Sequence, residues 1–145
     1  ILIALEDEDF VRDYLNLTSF NLIINALMNS IEKVLDDSNY TFINQVKEFI
    51  LKNIDKENLT IDEIASELYM SRTAFFNKWK ALTGEAPKYF IYRIRMEKAR
   101  ELLESGKYSV QVIPEMIGLK NLKNFRHKYK EYFGITPSKS ITKKL

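Results

Sequence analysis

The stretch "SRTAFFNKWKALTG", residues 71–84, decides the fold because a second version of it follows later in the chain. Residues 121–134 read "NLKNFRHKYKEYFG", with phenylalanine, lysine, a second aromatic residue and glycine at matching places. The matched pairs are Phe75 and Phe125, Lys78 and Lys128, Trp79 and Tyr129, Lys80 and Lys130, Gly84 and Gly134, and Pro87 and Pro137. The chain therefore contains an internal repeat, and one structural unit is expected twice.

Each copy carries an apolar stripe at positions i, i+4 and i+7, the spacing of the buried side of an amphipathic helix. The stripes are Phe75, Trp79 and Leu82 in the first copy and Phe125, Tyr129 and Tyr132 in the second. A short amphipathic segment precedes each copy, "TIDEIASEL" at 60–68 and "SVQVIPEMI" at 109–117, and the hydroxyl residue that opens it is suited to capping a helix. Each copy thus predicts a helix, a tight turn and a second helix, with Tyr69 and Met70 in the first turn and Gly118 in the second.

The opposite side of each second helix is polar and basic, as a helix that enters the major groove of DNA requires. There, Arg or Lys pairs with guanine, Asn pairs with adenine, and an apolar group meets the thymine methyl. The predicted DNA-binding residues are Arg72, Thr73, Phe76, Asn77 and Lys80 in the first copy and Lys123, Arg126, His127 and Lys130 in the second. The base readers expected among them are Thr73, Phe76, Asn77, Lys123, Arg126 and His127. Phe76 has a second interpretation, in which its ring packs on the neighbouring helix.

The segment between the copies, "PKYFIYRIRMEKARELLESGK", predicts one continuous helix from near Pro87 to a cap at Gly106. The residues expected to face inward are Ile91, Ile94, Ala99, Leu102 and Leu103. A helix of about 18 residues is roughly 27 Å long at 1.5 Å per residue. Such a rod can hold two reading helices at successive major-groove faces, which lie about 34 Å apart.

Composition favours an all-α protein, since only four of the 145 residues are glycine and three are proline. With no cysteine, the chain has no disulfide and no thiolate metal site. Charge is divided unevenly: residues 1–71 hold 5 Lys/Arg against 14 Asp/Glu, and residues 72–145 hold 17 against 6. The basic half fits nucleic acid or an anionic membrane, although a solvated helix surface would have a similar composition. No apolar run approaches the roughly 18 residues of a membrane span, and no membrane contact is expected.

The sequence lacks the residue groups that catalysis requires. His127 is the only histidine, and no nucleophile with a base or carboxylate pair is apparent. The acidic run "EDED" at 6–9 favours a solvated helix start over a metal site, because adjacent residues on a helix point apart. We therefore expect no enzyme activity, no metal and no cofactor. The alternative to DNA binding is a helical protein-interaction module in which DNA binding has degenerated.

Three segments together resemble the DNA-binding domain of AraC/XylS-type transcription regulators: "IDEIASELYMSRTAFFNKWKALTG", "RIRMEKARELL" and "FRHKYKEYFGITPSKS". The resemblance covers about residues 41–140. It implies a cytoplasmic bacterial transcription regulator with seven helices, two of them recognition helices, that binds double-stranded promoter DNA and has RNA polymerase as a partner. The first copy is most similar to the output domains that close hybrid two-component regulators.

The second copy departs from the family pattern at three positions. The family usually has Ala where this chain has Pro114, Phe where it has Leu119, and a small polar residue where it has Lys123. With Ser109 as the cap, Pro114 would be the fifth helical residue and would cost roughly 3 kcal/mol. A kink or a later helix start would relieve this cost.

Residues 1–38 lie outside the resemblance, and we expect a helical linker or the end of an upstream domain there. The DNA-binding domain is expected at 39–145, with helix-turn-helix units at about 60–84 and 109–134 and the linker helix at about 88–104. The N-terminal stripe consists of Phe20, Ile23, Ile24, Leu27, Ile31, Val34 and Leu35. It predicts either packing on the DNA-binding domain, or a homodimer or contact with a sensor domain. The opening "ILIAL" is expected to be a strand, and the absence of an initial Met indicates a fragment.

Overall fold

The computed structural model describes residues 8–142, and every regular element in that range is a helix. The helices are α1 (Glu8–Lys52), α2 (Ile61–Glu67), α3 (Arg72–Thr83), α4 (Pro87–Glu104), α5 (Ile113–Met116), α6 (Leu122–Phe133) and α7 (Pro137–Thr142). The expectation of an all-α fold with two helix-turn-helix units, α2–α3 and α5–α6, joined by the long helix α4 is confirmed. The strand expected at residues 1–5 lies outside the described residues.

Residue contacts divide the chain into a first unit that ends at Phe42 and a second that begins at Ile43. Within the described residues, the first unit consists of the N-terminal part of α1, most of whose large apolar side chains are exposed. They are Leu15, Leu17, Phe20, Leu22, Ile23, Ile24, Leu27, Met28, Ile31, Val34 and Leu35, with exposed fractions between 40% and 67%. None of the helices within residues 8–142 is long and apolar enough to cross a membrane.

The first helix-turn-helix unit begins at Thr60, which caps α2 as expected and also forms a capping box with Glu63. The Thr60 hydroxyl accepts a hydrogen bond from the Glu63 N–H at 3.3 Å, and the Glu63 carboxylate accepts one from the Thr60 N–H at 2.9 Å. Lys56 also binds the Glu63 carboxylate, and these hydrogen bonds, that of Lys56 first, lower the Glu63 pKa from 4.5 to about 2. In the turn, Tyr69 has a left-handed backbone with φ of 54°, and the Met70 N–H donates to the Ala65 carbonyl at 2.9 Å.

The second helix-turn-helix unit has the same kind of turn, but its first helix, α5, starts later than expected. Ser109 does not cap a helix, because α5 begins at Ile113 after Val112, which provides no side-chain cap. Pro114 is thus the second helical residue and not the fifth, and its missing N–H falls where a helix has no internal acceptor for it. The later start is confirmed, and the predicted cost of roughly 3 kcal/mol does not apply.

The second turn is also one residue longer than the first. The Leu119 N–H donates to the Pro114 carbonyl at 2.9 Å, as the corresponding bond does in the first turn. Lys120 then follows with a φ of 42° before Asn121 caps α6. Gly118 has a φ of 74°, which confirms the expected glycine conformation in this turn.

Helix α4 starts at Pro87 as expected and supplies buried residues to the fold. Of the residues expected to face inward, Ile91, Ile94, Ala99 and Leu103 are buried and Leu102 is half-buried. The second helix-turn-helix unit has a core that consists of Met96, Ala99, Leu103, Val110, Ile113, Ile117, Phe125 and Tyr129. Arg95 is buried as well, with 9% of its surface exposed, although it was not among the residues expected to face inward.

Helix α7 is held against α6 by a buried pair of hydroxyls. The Tyr129 and Ser140 oxygens are 2.6 Å apart, and Ser140 is 4% exposed. Burial raises the pKa of Tyr129 despite this hydrogen bond, so the phenol stays protonated. The pair therefore orients α7 without introducing a charge into the core.

Candidate nucleic-acid interface

Helices α3 and α6 are built on the same local frame. At their N-termini, the Ser71 hydroxyl accepts from the Ala74 N–H at 3.1 Å, and the Asn121 side-chain oxygen accepts from the Asn124 N–H at 2.9 Å. Each helix has 12 residues and ends at a glycine with left-handed backbone, φ 73° in one and 74° in the other. The N–H of each glycine donates to a lysine carbonyl at 2.8 Å. The two helices thus start and stop at equivalent positions.

The buried side of each helix fixes which side faces outward. Phe75, Trp79, Phe125 and Tyr129 are 0% exposed, which confirms both predicted stripes, while Leu82 and Tyr132 are half-buried at their ends. The Trp79 ring lies 4.6 Å from the Phe90 ring of α4, and the Tyr132 ring of α6 lies 5.8 Å from the Tyr92 ring of α4. Close aromatic packing of this kind prevents the helices from rotating about their axes.

All nine predicted DNA-binding residues are exposed. On α3 they are Arg72, Thr73, Phe76, Asn77 and Lys80, and on α6 they are Lys123, Arg126, His127 and Lys130. Phe76 keeps 39% of its surface exposed, so its ring is accessible to a thymine methyl. Arg72 differs from the others because its Nη1 lies 2.9 Å from the Asp62 carboxylate of α2. That pair is solvent-exposed and weak, so a stronger anion can replace Asp62.

The outer sides of both helices are electropositive. Residues 72–83 contain one arginine, two lysines and no acidic residue, and residues 122–133 contain one arginine, three lysines and a single acidic residue, Glu131. A helix of 10–12 Å diameter with this charge fits the major groove, which is about 12 Å wide. Within residues 8–142, no cluster of three or more His, Asp and Glu side chains is placed to hold a metal ion.

Sequence reasoning missed Asn124 as a candidate base reader. Its side chain is exposed on the first turn of α6, between the predicted readers Lys123 and His127. The equivalent residue in α3 is Ala74, which is also exposed and offers only a methyl group. Asn124 could have been found from its type and position, because an asparagine near the N-terminus of a reading helix suits adenine.

Two arginines of α4 bind the segments on either side of the first helix-turn-helix unit. Arg93 forms a bidentate pair with Glu85, which follows α3, with nitrogen-to-oxygen distances of 2.9 and 3.3 Å. Two residues later, Arg95 donates from Nη2 to the Lys56 carbonyl at 2.7 Å. On the other side, the Tyr92 hydroxyl of α4 donates to the Lys128 carbonyl of α6 at 3.1 Å, so both reading helices are held by the same central helix.

Comparison with known proteins supports a nucleic-acid role for this geometry. A family described as a helix-turn-helix domain matches residues 64–142. Histidine kinase P4 of Formosa agariphila is 37% identical over 86 residues, which are 59% of this chain and 6% of that protein. The Msm operon regulatory protein of Streptococcus mutans is 32% identical over 108 residues, 72% of this chain and 38% of that protein. The chain thus spans less than half of the length of these curated relatives.

A solved structure shows the same arrangement with its ligand. The DNA-binding domain of AdpA, a global transcriptional factor, in complex with a target DNA, is 25% identical, with a TM-score of 0.60. The match covers 68% of this chain and 88% of that domain. The repeated capped helices, their basic outer sides and these relatives all indicate a DNA-binding domain. The chain belongs to the AraC/XylS-type helix-turn-helix DNA-binding domains of transcription regulators.

Proposed function

We propose that residues 43–142 read promoter DNA with α3 and α6 in two successive major-groove faces. The observation that carries this proposal is the duplicated frame, in which two 12-residue helices with equivalent caps expose a polar and basic side. Asn77 and Arg126 supply directional contacts to base edges, while Lys80 and Lys130 attract phosphates. Asn124 joins the proposed base readers of α6.

The proposal is tested by selecting a duplex from a random library with the purified chain and then measuring its binding. Binding to the selected duplex should exceed binding to random duplex by at least about a thousandfold. The logarithm of the affinity should fall with the logarithm of the salt concentration, with a slope set by the number of phosphates neutralised. A chain that binds no duplex in a salt-sensitive way would instead be a helical protein-interaction module.

We further propose that the chain is the output end of a longer regulator in the bacterial cytoplasm, with RNA polymerase as a partner. A hybrid two-component regulator is favoured because Histidine kinase P4 is a relative that carries a similar segment. Residues 1–38 would then be the helical linker that joins the DNA-binding domain at 39–145 to an upstream module. Bacterial two-hybrid tests against the polymerase subunits address the partner separately from DNA binding.

A homodimer through the first unit is also proposed, on the basis of a seven-residue repeat in α1. Leu17, Ile24 and Ile31 recur every seven residues, and each is followed three residues later by Phe20, Leu27 or Val34. These are the a and d positions of a heptad pattern. Ile at a with Leu at d, as in Ile24 and Leu27, favours a parallel coiled coil of two helices. All six side chains are between 40% and 67% exposed, more apolar surface than a monomer commonly leaves in water.

The charge pattern of the same segment favours an identical partner. Residues 14–31 contain no charged side chain, so two copies of this helix meet without like-charge repulsion. A partner recognised by charge would need Lys, Arg, Asp or Glu beside the seam, as at the e and g positions of other coiled coils. A second copy of this chain is therefore the occupant that we propose.

A further inference from the structure

Arg95 is a buried cation in the middle of the central helix α4. Burial lowers the pKa of its guanidinium, with a smaller opposing effect of Glu57. Nη2 donates to the Lys56 carbonyl at 2.7 Å, and Nε has no hydrogen-bond partner among residues 8–142. Because removing a charged group from water is costly, the carbonyl that it binds is not readily given up. Arg95 therefore holds the segment between α1 and α2 against α4.

The turn of the second helix-turn-helix unit touches this segment at the same place. A Cβ on Gly118 would lie 2.5 Å from the Ile54 carbonyl oxygen, 3.0 Å from Arg95 Nη2 and 3.2 Å from the Asp55 carbonyl carbon. Two of these contacts are with backbone, which cannot swing aside as a flexible side chain can. Only a glycine allows the turn to approach this closely, and its φ of 74° also favours one.

Segment 53–58 consequently contacts both helix-turn-helix units. Toward the first, the Lys56 ammonium binds the Glu63 carboxylate of α2. Toward the second, Glu57 pairs with Lys120 at 3.4 Å, in the longer turn before α6. With the Arg95 bond to its carbonyl, Lys56 is linked to α2 by its side chain and to α4 by its backbone. We call segment 53–58 the bridge.

We propose that Arg95, by fastening the bridge, sets the spacing and orientation of α3 and α6 and thereby the spacing of the two DNA half-sites. Two units that pack on one helix can still shift relative to each other when that helix bends or twists. A second connection between the same units removes that freedom. Arg95 is thus a positioning residue, because it acts on DNA through the bridge. This inference rests on the proposed two-helix reading of DNA.

The test varies the distance between half-sites. The duplex selected by the wild-type chain is footprinted to define its two halves, and one, two or three base pairs are inserted between them. Each inserted base pair rotates one half by about 34–36° and moves it by about 3.4 Å. The wild-type chain should lose at least about tenfold in affinity at two inserted base pairs.

Arg95→Met keeps the apolar stem and removes the hydrogen bond to the bridge. It should reduce the loss at two inserted base pairs to less than about threefold, while binding to duplexes that contain one half-site stays at the wild-type level. Lys98→Met is the matched control, since it removes a cation from the same helix whose partner, Glu101, is also in α4 at 2.9 Å. It should retain the wild-type spacing profile. A merely structural role of Arg95 would weaken all duplexes alike.

Gly118→Ala tests the contact from the other side without changing charge. Glu57→Gln removes the carboxylate that pairs with Lys120. If circular dichroism shows that Arg95→Met does not fold, Gly118→Ala and Glu57→Gln become the test of the inference. Both should make the affinity depend less on the number of base pairs inserted between the half-sites. An unchanged profile in the folded variants, or a flat profile in the wild-type chain, overturns the inference and leaves DNA reading intact. Absence of salt-sensitive duplex binding by the wild-type chain would instead refute the proposed function itself.

Discussion

Asn77 and Lys80 are about one turn apart on the exposed side of α3, but their contacts with DNA obey different physics. An amide that pairs with adenine is directional and depends on the base. An ammonium attracts any phosphate, and its contribution falls as salt rises. The two residues should therefore be separable by measuring specificity and salt dependence together.

Asn77→Ala should cost about 1–3 kcal/mol on the selected duplex and relax base preference at a few positions. Lys80→Ala should weaken specific and random duplexes alike and reduce the magnitude of the salt slope by roughly one. Competition titrations at two or more salt concentrations measure both effects, with circular dichroism as the folding control. Equal losses on specific and random DNA for Asn77→Ala would contradict its role as a reader.

Pro114 is expected to stabilise the fold, whereas its position in the sequence first suggested that it would destabilise a helix. As the second residue of α5 it occupies a compatible site, where proline restricts the unfolded chain more than alanine does. Pro114→Ala should therefore lower the free energy of unfolding by about 0.4–1 kcal/mol, measured by urea denaturation. Pro87→Ala, at the start of α4, is a control that should shift in the same direction. A gain of about 3 kcal/mol for Pro114→Ala would show instead that the ring is strained.

At the scale of elements, the capping box of α2 couples the first helix-turn-helix unit to pH. The pKa of Glu63 is about 2 in the folded chain and 4.5 without its partners. Because the folded value is the lower one, the carboxylate stabilises the fold above about pH 4.5, and this contribution is lost as pH falls toward 2. Lys56 and Thr60 supply the hydrogen bonds responsible.

Glu63→Gln should therefore lower the urea midpoint at pH 7, and the difference from wild type should shrink as pH is lowered from 5 to 2.5. Glu67→Gln is the matched control, because it removes a carboxylate from the last turn of the same helix and leaves the cap in place. A difference for Glu63→Gln that stays constant over this pH range would mean that the folded and unfolded pKa values are equal.

Thr60 and Ser109 show why helix starts were only partly predictable. Both are hydroxyl residues before an apolar pattern, but only Thr60 is followed by a glutamate three residues later that completes the box. Pro114 then excludes a helix that begins at Ser109, because its ring would remove a bond and clash inside it. The turn glycine and both reading helices were predictable from local patterns, since caps and apolar stripes depend on neighbours in sequence.

On the scale of the whole molecule, the two-unit architecture followed from the repeat, whereas the bridge did not. Arg95 is four residues from both Ile91 and Ala99, so the helical period places it on the inward side of α4, but nothing in that pattern indicates its partner, a carbonyl 39 residues away. Burial of an arginine depends on tertiary contacts that a helical pattern does not contain. The exposed sites were accessible to sequence reasoning, and the contacts that orient them relative to each other were not.

The proposed homodimer predicts a concentration-dependent mass. Ile24→Asp with Leu27→Asp places a buried charge at neighbouring a and d positions, so sedimentation should shift toward monomer. Asn25→Asp with Asn29→Asp adds the same charge away from the seam and should leave the mass unchanged. A wild-type chain that sediments as a monomer at every accessible concentration would show that the first unit does not self-associate in this chain.

The absence of charged side chains from residues 14–31 also determines how this part of α1 responds to protein chemistry. Trypsin cleaves after lysine and arginine, and none occurs between Arg12 and Lys33. Complete digestion leaves residues 13–33 as one peptide, and amine-reactive cross-linkers find no lysine side chain in that peptide before Lys33. Lysine-directed mapping would therefore leave this surface unmarked. Photoreactive groups placed at Asn25 or Asn29, combined with a protease that cleaves beside Phe and Leu, can instead label it residue by residue.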